Sequence, residues 1–506
     1  MREDLFEIEI GAFAKIQNGY AFKSKEYVEK GLRIIRIANV QSGEIIDRDP
    51  KFYPESRLSE FNDYVIEEDD FLISLTGNVG RVGRIDKSLL PALLNQRVGK
   101  LNLQTSSIEK SYLYHFLNSR TFVHQVIKSS KGVAQLNTSS KKIEAIKIPI
   151  SPLPEQRAIV AKIEELFSDL DKGIADLNLA KDQLKVYRQA VLKKAFEGEL
   201  TKEWREQQTD LPTSDELLEQ IKEERQKHYE QQLENWKEAL KAWEENGKVG
   251  KKPGKPKKLK EAFLLNEIEG NYLINLPESW LRTNLESIAL AITDGDHQAP
   301  PKSENGIPFI TISNVKNNKI DFSNTYFVPD EYYSSLIEYR KPKIGDVLYT
   351  VTGSFGIPVL VNFEEQFCFQ RHIGLVRPLK LVYSNWLFWL LQTQLIYSQA
   401  TKKATGTAQK TVGLASLRSF CTSFCSPKEQ HQIVQEIESR LSVCDKVEES
   451  IKESLEKAKA LRQSILKKAF EGTLLSEEEI AACKEAPDYE PASVLLEKIK
   501  AEKKKK

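Results

Sequence analysis

The chain has 506 residues, 74 Lys and Arg against 73 Asp and Glu, and a formal net charge of +1. It is long enough for three or four domains with separate cores, and its bulk charge gives no argument for a polyanion partner. Its five cysteines all lie in the second half, at no disulfide-framework spacing, and point to a reducing, cytoplasmic setting. Arg2, Glu3 and Asp4 interrupt any secretory leader, and no apolar run approaches the roughly 20 residues of a bilayer span, so no membrane partner is expected.

In chain order, the first 150 residues mix strand-like runs (32–40, 71–75) with a helical stretch (112–128) and Gly-containing turns, an α+β or irregular α/β pattern without regular strand–helix alternation. Ser151-Pro152-Leu153-Pro154-Glu155-Gln156 then opens a long charged segment that closes on LKKAFEG at Leu192–Gly198. Ile163, Leu170, Leu177, Leu184 and Val191 recur every seven residues, with Leu166, Gly173, Ala180 and Tyr187 three positions after the first four. This heptad seam predicts a helical rod of about 60 Å at 1.5 Å per residue. A second helical stretch follows over 213–245, with Leu217, Leu218, Ile221, Trp236, Leu240 and Trp243 as its apolar positions. Residues 247–260 hold seven lysines, three glycines, two prolines and no acid. That composition reads as a flexible basic linker, with extra phosphate contacts as the other reading.

The second half repeats the order. Runs at 308–315 and 347–351 read as strands, 384–401 as helix, and Trp386–Leu391 (WLFWLL) as a core helix too short to span a membrane. Ser426-Pro427-Lys428-Glu429-Gln430 opens a second rod, with Ile437, Cys444, Ile451, Ala458 and Ile465 on the heptad row and Val447 and Leu461 among the positions between. It ends on the same LKKAFEG at Leu466–Gly472, and LLEQIK at 217 returns as LLEKIK at 495. From Glu155 and Glu429 to Gly198 and Gly472 the two copies align without a gap, which makes the chain a duplicated half-protein rather than a short-period solenoid. The blocks match more loosely: Asn39-Val40 with Asn314-Val315, Asp70 with Asp346, Thr76-Gly77 with Thr352-Gly353, Gln96-Arg97 with Gln370-Arg371, Ala134-Gln135 with Ala408-Gln409. A fixed skeleton with drifting loops suggests two readers of one geometry. With one seam per rod, the rods are natural antiparallel partners.

Chemistry-bearing motifs are few. Thr76–Gly83 and Thr352–Gly356 are Gly-rich turns after strands that fit neither Walker A nor GxGxxG; they are either plain turns or points of close approach to a phosphate backbone. There is no Asn-Pro-Pro-aromatic or Asp-Pro-Pro-aromatic tetrad, no Walker box and no HExxH, so no catalysis is expected. Cys421 and Cys425 with His431 fall short of the four ligands of a structural zinc site, and no metal is expected.

A variable block, a Pro-x-x-Glu-Gln entry and a helix ending LKKAFEG, all occurring twice, together resemble the specificity subunit of Type I restriction-modification systems. Ile16–Lys25 (IQNGYAFKSK) resembles one class of target recognition domain, and Ile292–Pro301 (ITDGDHQAPP) with Gly306–Ile310 resembles another. The likeness covers essentially the full length, with 201–270 as a departure. It implies an α+β fold of two globular target recognition domains separated by a pair of long antiparallel coiled-coil helices, a pseudo-twofold internal duplication. The expected division is recognition domain 1 at 1–150, the first helical region at 151–246, a basic linker at 247–270, recognition domain 2 at 271–426 and the second helical region at 427–506.

The implied function is to read a bipartite, asymmetric site in double-stranded DNA, one domain per half-site, with the helices setting the spacing. The implied partners are two modification (methyltransferase) subunits and two restriction (translocase and nuclease) subunits. S-adenosylmethionine, ATP and Mg are expected on those partners and no cofactor on this chain. Base-edge reading calls for Arg, Lys, Asn and Gln in loops. The candidates are Lys23, Lys25, Asn78, Arg81, Arg97, Lys131, Gln135 and Asn137 in the first block. In the second they are His297, Gln298, Lys302, Ser354, Arg371, Lys402, Lys403, Thr407 and Gln409. A coiled-coil assembly scaffold with protein-binding ends is the alternative, and a pair of hydrolytic domains ranks last.

Overall fold

The computed structural model describes residues 6–132, 136–250, 252–262, 264–265, 276–407 and 409–505. They form two compact units that do not follow chain order. One combines Met1–Leu179 with Ile451–Lys506, and the other is Ala180–Ser450.

The first block runs β1 (Phe6–Glu9), β2 (Ala14–Asn18), β3 (Leu32–Ile35), β4 (Phe52–Tyr53), β5 (Val65–Ile66), β6 (Phe71–Ser74), β7 (Val82–Arg84), β8 (Ala92–Leu94), β9 (Val98–Leu103), α1 (Lys110–Leu117), α2 (Arg120–Ser129), α3 (Ser140–Glu144) and β10 (Lys147–Ile150). Its sheets have the orders β2-β9-β6-β7 and β4-β3-β8-β5, and β1 pairs with β10. Then come α4 (Leu153–Phe196), α5 (Lys202–Glu206) and α6 (Ser214–Glu245).

The second block comprises β11 (Leu281–Asn284), β12 (Ala289–Asp294), β13 (Ile307–Ile310), β14 (Val315–Lys316), β15 (Lys319–Ile320), β16 (Tyr326–Val328), α7 (Asp330–Ser335), β17 (Val347–Thr350), β18 (Pro358–Leu360), β19 (Cys368–Phe369), β20 (Ile373–Pro378), α8 (Ser384–Leu391), α9 (Gln394–Lys403), α10 (Leu414–Arg418) and β21 (Cys421–Phe424). The order β12-β20-β17-β18 repeats β2-β9-β6-β7, and β16-β13-β19 repeats β4-β3-β8, with the same parallel pair in each. The chain closes with α11 (Pro427–Phe470), α12 (Glu477–Lys484) and α13 (Ala492–Lys505).

Local chemistry explains where expected elements stop. The run at 32–40 is a strand only to Ile35, because the buried Asn39 side chain accepts from the Arg36 amide (2.9 Å) and donates to the carbonyls of Ile46 and Arg48 (2.9 and 3.0 Å). Asn314 makes the same turn with Thr311 (3.0 Å) and Asp321 (3.1 Å). The repeated Asn-Val is therefore a structural turn. The helices expected at 112–128 and 384–401 are each two helices, because Ser119 and Thr393 cap a new N-terminus through the amides of Phe122 and Ile396 (both 3.3 Å).

Each unit is built on helix ends from both repeats. In the first, Ile159 and Ile163 at the start of α4 share a core with Ile465, Leu466, Ala469 and Phe470 at the end of α11. In the second, Ile433, Val434 and Ile437 of α11 join Val191, Leu192, Ala195 and Phe196 of α4. The two helices thus run antiparallel within each unit. The Leu, Ala and Phe of LKKAFEG occupy one helical face and make equivalent wedges. Phe470 meets Tyr112 and Phe116 with ring centroids 5.2 Å apart, and Phe196 meets Trp386 at 5.5 Å. The closing glycine takes a left-handed φ (79° at Gly198, 76° at Gly472), and the next amide returns to the lysine carbonyl five residues back (2.9 Å in both copies). This helix stop suits glycine.

The Pro-Glu-Gln entry ties each rod to its block. Gln156 accepts from the amide of Glu109, the cap of α1 (2.9 Å), and donates to the Ser151 carbonyl (2.8 Å). Gln430 repeats this with the amide of Tyr383, the cap of α8 (2.7 Å), and the Cys425 carbonyl (2.9 Å). Glu429, 1% exposed, accepts from Thr201 (2.7 Å), Arg205 (2.8 Å) and Trp280 (2.9 Å).

The rods correct one expectation. The row Ile163, Leu170, Leu177, Leu184, Val191 lies on the seam, as does its copy in α11, but the row three positions on is covered only in part: Leu166 and Ala180 are, whereas elsewhere the residue four positions on is covered instead. Gly173 and Tyr187 are exposed while Ile174 and Arg188 are partly covered; Val447 and Leu461 are exposed while Leu441 is buried and Leu455 half-buried. Spacings of three and four alternate along a heptad seam, so the repeating row alone does not say on which side its partner lies. Exposed ion pairs flank the seam: Arg462 with Asp171 (2.8 Å) in one unit, Arg188 with Asp445 (2.6 Å) and Glu448 (3.2 Å) in the other.

The basic segment also departs from expectation. Its described residues have no regular secondary structure, but it is fastened down: the Trp236 and Trp243 indoles donate to the carbonyls of Pro253 (3.0 Å) and Gly250 (3.3 Å), and buried Arg225 donates to that of Lys260 (2.7 Å). It is a strap laid on α6 rather than a free linker. Its stretch beyond 265, up to 270, lies outside the described residues. Cys421 and Cys425 are buried, and His431 is exposed with its ring 4.0 Å from that of Tyr383.

Candidate nucleic-acid interface

Four loops converge in each block, held by a hydrogen-bond network that occurs twice. In the first block the turn after β6 is shaped by the Ser74 hydroxyl donating to the Asn78 carbonyl (2.6 Å) and by positive φ at Gly77 (72°) and Gly80 (80°). The Gly77 amide reaches the Leu136 carbonyl (2.8 Å), Leu75 reaches Arg97 (3.1 Å), Thr138 reaches Leu75 (2.9 Å) and Gln96 reaches Tyr20 (2.8 Å). In the second block Thr350 donates to the Ser354 carbonyl (2.8 Å), and φ is positive at Gly353 (68°) and Gly356 (96°). Gly353 reaches Lys410 (2.9 Å), Val351 reaches His372 (2.9 Å), Val412 reaches Val351 (2.7 Å) and Arg371 reaches Asp296 (3.1 Å).

Gly19 and Gly295 are fixed by close approach. A Cβ on Gly19 would run into the carbonyls of Leu94 and Asn95, and one on Gly295 into that of Phe369. The loop necks match too, Lys131 bridging Asn137 and Thr405 bridging Thr411. The Gly-rich turns are therefore parts of a four-loop cluster and not phosphate-binding helix starts.

This network corrects one pairing of the halves. The letters Gln-Arg suggest Gln96-Arg97 against Gln370-Arg371. The backbone instead matches the bridge Tyr20–Asn95 with Asp296–Gln370, and the turn Val98 to Asn95 with Ile373 to Gln370. Gln96 stands where Arg371 does, and Arg97 where His372 does. His372 is a cluster residue that letter matching passes over; burial and then the neighbouring Arg371 charge hold its imidazole below the usual range.

Most candidates lie on these loops. Lys23, Lys25, Asn78, Arg97, Lys131 and Asn137 are exposed, as are His297, Gln298, Lys302, Ser354, Arg371, Lys402, Thr407 and Gln409. Gln135 lies outside the described residues. Arg81 is half-buried and donates to Gln41 (2.6 Å). Lys403 is also tied down, donating to the Ser419 hydroxyl (2.6 Å). Lys302 stands 4.9 Å over the Tyr326 ring, and His297 bonds Asp294 (2.9 Å). Asp294 and Asp296 are both reached by Arg340 (3.6 and 3.2 Å), which braces the root of that loop.

Among the described residues no group of three or more His, Cys, Asp and Glu side chains is placed to hold a metal, and no helix is long and apolar enough to cross a membrane. The model of the Type I restriction modification DNA specificity domain matches residues 3–178 and 293–457. The chain belongs to that family, whose specificity subunits are non-catalytic. The Type I restriction enzyme EcoBI specificity subunit of Escherichia coli is 25% identical over 516 residues, covering 99% of this chain and 93% of that protein. The EcoKI specificity subunit of Escherichia coli strain K12 is 25% identical over 488 residues, covering 93% and 89%. A chain solved in work on complex assembly and conformational transition of the type I R-M system superposes with a TM-score of 0.59 at 17% identity, covering 94% of this chain and 99% of that one. That last likeness concerns the fold.

Proposed function

We propose that this chain supplies the DNA address of a Type I restriction-modification complex: each block reads one half of a bipartite, asymmetric duplex site, and α4 and α11 hold two modification and two restriction subunits. S-adenosylmethionine, ATP and Mg belong to those partners. The observation that carries the reading is the duplicated loop cluster, in which backbone bonds repeat while outward side chains change. Asn78, Gln96 and Arg97 of one block face the roles of Ser354, Arg371 and His372 in the other, a change that predicts unlike half-sites. Arg and Asn or Gln are the types that form bidentate bonds with guanine and adenine edges.

The test is long-read detection of methyladenine in cells carrying the chain with its partner subunits. Arg97→Ala is expected to relax one half-site and leave the other intact, Arg371→Ala to do the reverse, each loss worth about 1–3 kcal/mol of discrimination. A methylated motif left unaltered by both variants, or altered in both halves by either one, overturns the assignment.

A further inference from the structure

Residues 179–292 lie outside the family match, and they contain α6 and the strap. The strap's seven lysines invite the explanation that they neutralise α6, which carries ten acids against five bases. The bonding says otherwise. What fastens the strap is two indoles, the Arg225 guanidinium and a ring contact from Lys255 to Trp236 (6.0 Å). Among the described strap lysines only Lys260 ion-pairs, and its partner is Glu286 of the second block (3.3 Å), not a carboxylate of α6. Lys252, Lys257 and Lys258 are exposed and unpaired among the described residues, on a backbone that is held in place. Such a row has lost its freedom without gaining an intramolecular partner.

Its position says what the partner is. The strap and edge strand β12 line one cleft of about 710 Å³, with Lys257 on one wall and Thr293, Ile337 and Tyr339 on the other. Arg340, next to Tyr339, is the residue that braces Asp294 and Asp296 beneath the His297–Lys302 loop. Lys257 thus stands one cleft away from the second block's candidate reading loops, Lys258 lines a second pocket that shares Arg225, Leu259 and Lys260 with this cleft, and Lys252 precedes Pro253, which lines the cleft itself; a duplex there would carry a negative charge about every 1.7 Å along its axis.

We infer that the strap is a phosphate clamp: Lys252, Lys257 and Lys258 grip the backbone of the duplex flanking the half-site read by the second block, without regard to its sequence. This rests on the function proposed above. The test uses the full chain assembled with its modification subunits, and measures affinity for the methylated-motif duplex over a range of salt. Each phosphate contact contributes about 0.9 to the slope of log K against log salt. The triple variant Lys252→Gln, Lys257→Gln, Lys258→Gln is expected to flatten that slope by about 2 to 3 and to leave the motif unchanged. The matching triple Arg variant should behave as the parent, and trimming the duplex beyond the second half-site should erase the difference between parent and Gln variant.

An unchanged slope in the Gln variant with intact motif preference overturns the clamp and spares the proposed function. So does an unchanged slope with weakened subunit assembly, which assigns the row to an acidic protein surface. A parent complex with no sequence preference overturns the proposed function itself.

Discussion

Helices α1 and α8 occupy the same place in the two units, yet their faces toward the rods differ. His115 of α1 packs on the Phe167 ring (5.8 Å) and is 8% exposed; its counterpart in α8 is Trp389, an apolar ring beside Phe388 (5.1 Å). Tyr112 donates to the Pro149 carbonyl (2.9 Å), whereas the indole N–H of its counterpart Trp386 is buried without a hydrogen-bond partner among the described residues. The cap Ser119 or Thr393, the clamp Gln156 or Gln430 and the wedge Phe470 or Phe196 are retained in both. The caps, the Gln clamps and the Phe wedges that join rod to block repeat, while other positions on the same two helices drift.

The largest effect that would sharpen this contrast is at the clamp. Glu429→Ala leaves Arg205 without its carboxylate in a nearly dry site, and breaking such a pair costs about 3–5 kcal/mol. By contrast, Arg188→Ala at an exposed seam pair should cost about 1 kcal/mol or less. Hydrogen exchange along α11 would separate them, and equal protection in the two variants would refute the ranking.

His115 gives the next effect. Burial first, then the charges of Arg462 and Arg84, push its pKa down to about 4 from an ordinary 6.5, and Glu164 at 4.0 Å is too exposed to reverse this. The unfolded chain therefore binds the proton more readily than the folded one. Stability from this residue is fully present above pH 6.5 and drains away as pH falls toward 4, by roughly 3 kcal/mol in total. Thermal melts across that window should show the first unit losing ground, and His115→Leu should flatten the trend. An unaltered pH profile in that variant would mean the imidazole is not the cause.

The smallest effect probes the seam. Gly173 has nothing within 4 Å of an added Cβ, so Gly173→Ala should stabilise the rod by about 0.5–1 kcal/mol through helix propensity alone. A loss of stability would put residue 173 back in the interface.

Much of this was legible from the letters. The rods expected from heptads and their Pro-Glu-Gln entries are Leu153–Phe196 and Pro427–Phe470, and the stretch expected over 213–245 is Ser214–Glu245. Period and caps are local signals, so the chain announces them. The partner row of the seam was not legible, because Gly173 and Ile174 are distinguished only by which face the other helix covers. Nor was the loop register, since Gln-Arg recurs as letters one residue away from where the backbone bonds recur. Lys, Pro and Gly at 247–260 rule out a helix but do not say that two tryptophans, 17 and 7 residues upstream of the carbonyls they reach, will hold the segment down. The loop cluster was legible as a list of residue types, and its assembly depends on backbone bonds between segments far apart in the chain, such as Tyr20 with Gln96 and Asp296 with Arg371.

The wedge that seats each block is encoded in the opposite repeat: Leu466–Phe470 for the first, Leu192–Phe196 for the second. Neither reader owns its own foundation. A change in one copy of LKKAFEG is felt by the other repeat's domain, so the two copies answer to each other's sockets, while every outward loop answers only to what it touches. Reciprocal dependence of this kind accounts for the Leu, Ala, Phe and Gly of LKKAFEG recurring in a chain whose blocks have otherwise gone separate ways.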